Sequence, residues 1–176
     1  MIRRLLQSRL QRAATAVALA VWLPSAVADP VKIGDWYYNS DTAPTTTWIV
    51  NDSGSEFGFF CNDGDCRFFA AFNTTCEDET EYPALVNATA SAYGTTLVCS
   101  EVEEESGSKH YFVFKDTEAI EKSVGDGGVI GVATALLSGE FNVSRFSVSN
   151  ARKAVARVRT GAAKAKNSKG TGDRRL

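Results

Sequence analysis

Histidine and methionine each occur once in this chain, proline and cysteine four times each, and no stretch is both long and apolar. The single His110 leaves little room for a Ser/His/Asp or Cys/His arrangement, which needs a positioned base beside an activated nucleophile. No Gly-x-Ser-x-Gly elbow accompanies it, and on a strand shared with Phe112 and Phe114 it reads as a strand-end histidine half in solvent. The longest apolar run, Ala13 to Leu23, is about half of the roughly 20 residues that a bilayer span requires, which excludes a polytopic membrane protein. Basic residues are scarce in the central part as well. From Asp29 to Asn150 six basic residues face 20 acidic ones, a charge of −14, which excludes a nucleic-acid binder with a basic folded body.

What is present at the two ends sets the expected compartment. Arg3, Arg4, Arg9 and Arg12, without an acid, precede the apolar run, and Ala26-Val27-Ala28 supplies a small-residue cleavage site. Residues 1–28 are therefore expected to be a cleaved secretory signal, with Asp29 as the new N-terminus. No cysteine stands at that site to accept a lipid, so the expected location is periplasmic or secreted. At the other end, Ala151 to Leu176 carries nine basic residues against Asp173 alone, a charge of +8. An acidic body with a basic tail is the clearest feature of the charge pattern.

Between the ends, short aromatic and β-branched runs alternate with Gly, Asn, Asp and Ser clusters, as antiparallel strands and their turns do. The runs are Trp36 to Tyr38, Thr45 to Val50, Phe57 to Cys61, Cys66 to Phe72, Ala84 to Ala88, Thr95 to Ser100, His110 to Phe114, Val129 to Ala133 and Phe141 to Val148. Only Asp116 to Val124 reads as a helix, capped by Asp116 and stopped by the glycines after Val124. The expected fold is all-β and mainly antiparallel, a disulfide-containing β-sandwich or barrel-like domain with one or two short helices, over residues 29–159.

The sharpest local pattern is the hairpin from Phe57 to Ala70. Asp63-Gly64 is a preferred two-residue turn because both positions need positive φ. Asn62 and Asp65 then close the loop, and Cys61 faces Cys66 in a non-hydrogen-bonded pair, where Cα atoms approach to about 4.5 Å, within disulfide reach. The same register puts Phe57, Phe59, Phe68 and Ala70 on the cysteine face and Phe60, Arg67, Phe69 and Ala71 on the other, so the hairpin is expected in the interior of a sandwich. Pairing Cys61 with Cys66 leaves Cys76 for Cys99. A four-thiolate zinc site is the rival, but its ligand pairs stand two to four residues apart and an exported chain meets an oxidising compartment. No metal and no cofactor are expected.

Two acidic runs stand out, Glu77, Asp78, Glu79 and Glu81 after Cys76 and Glu101, Glu103, Glu104 and Glu105 after Cys99, and the candidate binding residues among them are Glu77, Asp78, Glu79, Glu81, Glu103 and Glu104. A bridge between those cysteines would bring the runs to one side as a negative patch. Neither has the ligand spacing and central glycine of a twelve-residue calcium loop, and edge charges that discourage aggregation account for them as solvated residues. Asn51, Asn73, Asn87 and Asn142 head Asn-x-Ser/Thr acceptor patterns, whose use depends on a host that glycosylates, whereas the arginine-rich leader looks bacterial.

Near the C-terminus, Ser149 is positioned to cap a short helix from Asn150 to Arg159 with a narrow apolar stripe. Residues 160–176 contain no large apolar residue except Leu176 and are expected to be a disordered basic tail. Lys164, Lys166, Lys169, Arg174 and Arg175 there could hold an anionic polymer or surface through non-specific charge. Gly34-Asp35-Trp36 and the passage from Phe146 to Ala154 resemble the start and end of the invasion-associated locus B family of exported bacterial proteins. They cover about a tenth of the chain, and the cysteine arrangement between them departs from that family, so neither function nor residues are carried over. The reading is a non-enzymatic binding or interaction protein of the bacterial envelope, an inhibitor or accessory subunit among the options, whose partner is an envelope protein or an anionic polymer. The alternatives are an envelope-polymer hydrolase using paired carboxylates from the acidic runs, and a calcium-stabilised adhesion module.

Overall fold

Strict alternation of inward and outward residues builds the sheet: in the segment Glu81–Ala88 every second side chain is buried, the pattern of a strand with one packed face. A computed structural model describes residues 30–40, 43–89, 91–104, 107–125, 127–135 and 139–170. In chain order the elements are β1 (Val31–Ile33), β2 (Trp36–Asn39), β3 (Thr45–Val50), β4 (Glu56–Asn62), β5 (Asp65–Ala71), β6 (Glu81–Ala88), β7 (Ser91–Glu104), β8 (Gly107–Phe114), α1 (Thr117–Gly125), β9 (Val129–Ala135), β10 (Phe141–Ser147) and α2 (Ala151–Gly170). All ten strands join one antiparallel sheet in the order β1-β2-β3-β4-β5-β8-β7-β6-β9-β10. The sheet curls into a half-barrel. A single curled sheet selects the barrel-like form of the expected all-β fold over the sandwich.

The two sides of this sheet are covered differently. On the concave side, Phe57 is ringed by Trp36, Phe68, Phe114 and Phe146 at centroid distances of 6.3, 5.9, 6.0 and 5.6 Å, which joins strands from both ends of the sheet in one apolar core. Ala151, Ala154, Val155 and Val158 of α2 and Ile120 and Val124 of α1 complete that core. Trp36 Nε1 donates to the Ser149 carbonyl at 2.8 Å, fixing the approach to α2. The two halves of the sheet also meet at one point. The Asn51 side-chain amide donates to the Arg145 carbonyl at 3.2 Å, while its Oδ1 accepts from the Ser53 and Ser55 amides at 3.1 and 2.9 Å.

The local expectations and the structure agree at the hairpin and at α1. Asn62 pairs with Asp65 and Cys61 with Cys66, and the disulfides are Cys61 to Cys66 and Cys76 to Cys99. Asp116 Oδ1 accepts the Ala119 amide at 2.9 Å, an N-cap bond. Elsewhere the structure differs. The three-residue β1 is too short to leave a periodic signal. β7 extends from Ser91 to Glu104 because β6 pairs with its first part, Ser91 to Val98, and β8 with its second, Leu97 to Glu104. The hairpin lies in mid-sheet, and among the described residues no second sheet lies outside it.

Helix α2 starts at Ala151, with the Asn150 carbonyl accepting from the Lys153 and Ala154 amides, and it continues to Gly170. Residues 160–170 are thus helical, where a disordered tail was expected. Alanine is the strongest helix former and lysine a good one, so the lack of large apolar residues after Thr160 did not mean lack of structure, and Ala162 packs on the core. The segment expected to be a cleaved signal, residues 1–28, and residues 171–176 lie outside the described residues. Among the described residues no helix is long and apolar enough to cross a membrane.

Loop length ranks the two bridges, because closing a longer loop removes more disorder from the unfolded chain. With sequence separations of 5 and 23, replacing both cysteines of the short bridge by alanine should cost about 2 kcal/mol and of the long one about 3.5 kcal/mol, read from urea unfolding of the two double variants.

Candidate functional site

Outward residues meet in rows across paired strands, and one row here is unusually aromatic. Lys32, Tyr37, Trp48, Gly58, Phe69, Val113 and Val98 are successive partners from β1 to β7. All therefore face the convex side, away from the core. Tyr37 and Trp48 stack at 5.6 Å, with the Lys32 ammonium 4.8 Å from the Tyr37 ring centroid. Gly58 leaves its place in the row empty. A Cβ there would lie 2.5 Å from the Phe69 ring and 2.5 Å from the Thr47 carbonyl oxygen, so the bare glycine lets Phe69 lie across β4. Phe69 is buried by that contact although among the described residues no second layer covers it. Phe60 at 6.2 Å and the edge of Tyr111 at 5.3 Å flank it.

The result is a groove of about 540 Å³ walled by Trp48, Phe60, Phe69, Val102, Tyr111 and Val113. Charged groups stand along one wall. Lys109 Nζ donates to both Glu56 carboxylate oxygens at 2.9 and 3.0 Å and sits 5.1 Å from the Tyr111 ring centroid. The Tyr111 hydroxyl donates to Glu104 Oε1 at 3.2 Å. Burial pulls the Lys109 pKa down, but the Glu56 carboxylate and Tyr111 outweigh it, so the ammonium titrates above its ordinary value. Burial raises the Tyr111 phenol, which Lys109 opposes and the Glu104 and Glu56 carboxylates reinforce. At neutral pH the wall thus carries a cation, its carboxylate partner and a phenol that can still donate a hydrogen bond.

The acidic residues singled out in the sequence lie, with one exception, outside the lining of this groove. The Cys76 to Cys99 bridge does lay the first run beside β7, where Asp78 Oδ1 accepts the Glu101 amide at 2.9 Å and the Glu79 amide donates to the Cys99 carbonyl at 3.1 Å. The Glu77 amide donates to the Tyr82 hydroxyl, and Glu81 is paired with Lys115 at 2.7 Å. Glu103 accepts from the Ser108 hydroxyl at 2.9 Å on the face opposite to Glu104, so of the six only Glu104 lines the groove. Glu105 lies outside the described residues. Among the described residues no three His, Cys, Asp or Glu side chains come together to hold a metal ion. His110 stands 3.9 Å from Glu101 with its side chain 13% exposed, in a smaller hollow of about 360 Å³ with Ser108 and Asn73.

Of the basic residues, Lys164 and Lys166 are exposed on α2, and Lys169 belongs to its last turn. Arg174 and Arg175 lie outside the described residues. Sequence reasoning passed over Trp48, Gly58, Lys109 and Tyr111. The available signals were a glycine inside a strand pattern, which marks a close approach, and aromatic residues at the outward positions of separate strands. Comparison with family models, with curated proteins and with solved structures finds no match.

Gly58→Ala should destabilise the fold by about 1–3 kcal/mol, the usual range for overpacking. Combined with Phe69→Ala the loss should be less than the sum of the two single losses, since the ring is gone but the Thr47 carbonyl remains; additive losses in a denaturant double-mutant cycle would show that the ring does not depend on the glycine.

Proposed function

We propose that this is a non-enzymatic binding protein working outside the cytoplasm, in the bacterial envelope, and that the convex groove holds a glycan. The observation that carries the reading is the groove itself: a continuous aromatic surface, on the side of the sheet that no helix of the described residues covers, with carboxylate, ammonium and phenol groups along its wall. Concave sites lined by apolar and aromatic groups with a few placed polar ones are where ligands of this size bind. A sugar ring matches both parts, its apolar C–H face lying on Trp48 or Phe60 and its hydroxyls donating to Glu56 and Glu104. Two disulfides are consistent with an extracellular setting. A second reading, hydrolysis of an envelope polymer, rests on the fact that Glu56 and Glu104 line one groove.

Tryptophan fluorescence tests the proposal directly, since Trp36 is fully buried and Trp48 is only half-buried. Soluble peptidoglycan fragments should shift the emission saturably, and Trp48→Ala combined with Tyr111→Ala should weaken binding by tenfold or more without release of any cleaved product. No response to the fragments would remove the glycan assignment. Cleavage lost in Glu56→Gln or Glu104→Gln would replace it by the hydrolase reading.

A further inference from the structure

On the concave side, where α2 leaves the sheet, a second cleft has the opposite chemistry. Gly161 brings the helix against β2: a Cβ at this position would lie 2.6 Å from the Tyr38 hydroxyl oxygen and 3.1 Å from a Thr45 methyl. This approach opens a cleft of about 410 Å³ lined by Tyr38, Ser40, Arg157, Thr160, Gly161 and Lys164, with Ala165 at its edge. Arg157 and Lys164 are two helical turns apart and so project from one face. The Arg157 guanidinium is held 5.4 Å from the Tyr38 ring centroid. Among the described residues neither cation has a carboxylate partner, in contrast to Arg159, two residues after Arg157, which binds Glu121 through two short hydrogen bonds of 2.7 and 2.6 Å. Among the described residues no acidic side chain lines the cleft.

We infer that this cleft is an anion site that takes a phosphate group. Two cations converge on a hollow that contains a phenol hydroxyl, and the Thr160 hydroxyl already donates to the Ala156 carbonyl, so the donors aimed at a ligand are Arg157, Lys164 and Tyr38. Arginine matches the oxygens of a phosphate through two parallel N–H groups and lysine adds a point charge. The acidic body does not cancel this field. Charges further away than the Debye length, about 8 Å at physiological salt, are largely screened, so the adjacent cations set the local potential. The inference does not rest on the glycan reading of the convex groove, which lies on the other side of the sheet. A phosphate ester on an envelope polymer and the headgroup of an anionic lipid share this chemistry.

The test uses the full chain with two probes, glycerol phosphate in solution followed by amide chemical shifts, and phosphatidylglycerol vesicles followed by co-sedimentation. Arg157→Gln with Lys164→Gln removes two charges inside the cleft, and Lys153→Gln with Lys166→Gln removes two on the same helix outside its lining. All four side chains are exposed, so both double variants should fold, and circular dichroism checks that they do. Binding of either probe, weakened about tenfold or more by the cleft pair and little changed by the outer pair, supports the site. The probe that binds identifies the source: the soluble ester a polymer phosphate, vesicles alone a lipid headgroup. Binding of neither probe, or equal loss in both double variants, would overturn the inference, the second result reducing the contact to net charge.

Discussion

The register of the hairpin between β4 and β5 is the constraint on which the rest of the molecule depends. Side chains alternate across a strand, so a slip of one residue would exchange its two faces completely. In the observed register Phe57, Phe59 and Phe68 face the core and Phe60 and Phe69 face the groove. Both faces are aromatic, and hydrophobicity alone discriminates weakly between the two registers. The discrimination comes from the ends. Asp63 and Gly64 take φ values of 49° and 100°, which a two-residue turn requires and which few other residue types tolerate. Next to it the Cys61 to Cys66 bridge holds the Cα atoms 4.1 Å apart, a separation compatible with a directly facing pair and not with a shifted one.

From that register the two sides of the sheet acquire different work. The concave side receives the apolar stripe of α2, and Phe57 links rings from β2, β5, β8 and β10 into one core. The convex side receives no layer from the described residues, yet it buries Phe69 by laying the ring over Gly58. Glycine weakens a strand by its conformational freedom, and an aromatic ring packed over it offsets that loss. The same device leaves a hollow beside the ring, walled by residues from β3, β4, β7 and β8. Packing and binding surface thus have a common origin.

Interactions within a few residues were legible in the sequence. The turn with its facing cysteines and the Asp116 cap depend on spacing alone, and the second bridge followed by elimination. The groove was not legible, because Trp48, Phe69 and Tyr111 become neighbours only through the strand order β3-β4-β5-β8, which places β8 beside β5 ahead of β6 and β7. The acidic runs are conspicuous as a string, and in the structure the Cys76 to Cys99 bridge lays them side by side, with Asp78, Glu81 and Glu103 engaged by the Glu101 amide, Lys115 and Ser108. Helix α2 was cut short because composition was read for apolar residues, whereas alanine propensity and one glycine-permitted contact with Tyr38 carry it past Thr160.

The central claim is therefore one of pairing, and nuclear magnetic resonance reads pairing directly. Facing residues of a non-hydrogen-bonded antiparallel pair bring their Hα atoms into close contact. A nuclear Overhauser spectrum should contain strong Hα to Hα cross-peaks between Cys61 and Cys66 and between Phe59 and Phe68. Cross-peaks linking Cys61 with Arg67 or Phe60 with Phe68 in their place would mean a shifted hairpin, with the core and the groove assigned to the wrong faces.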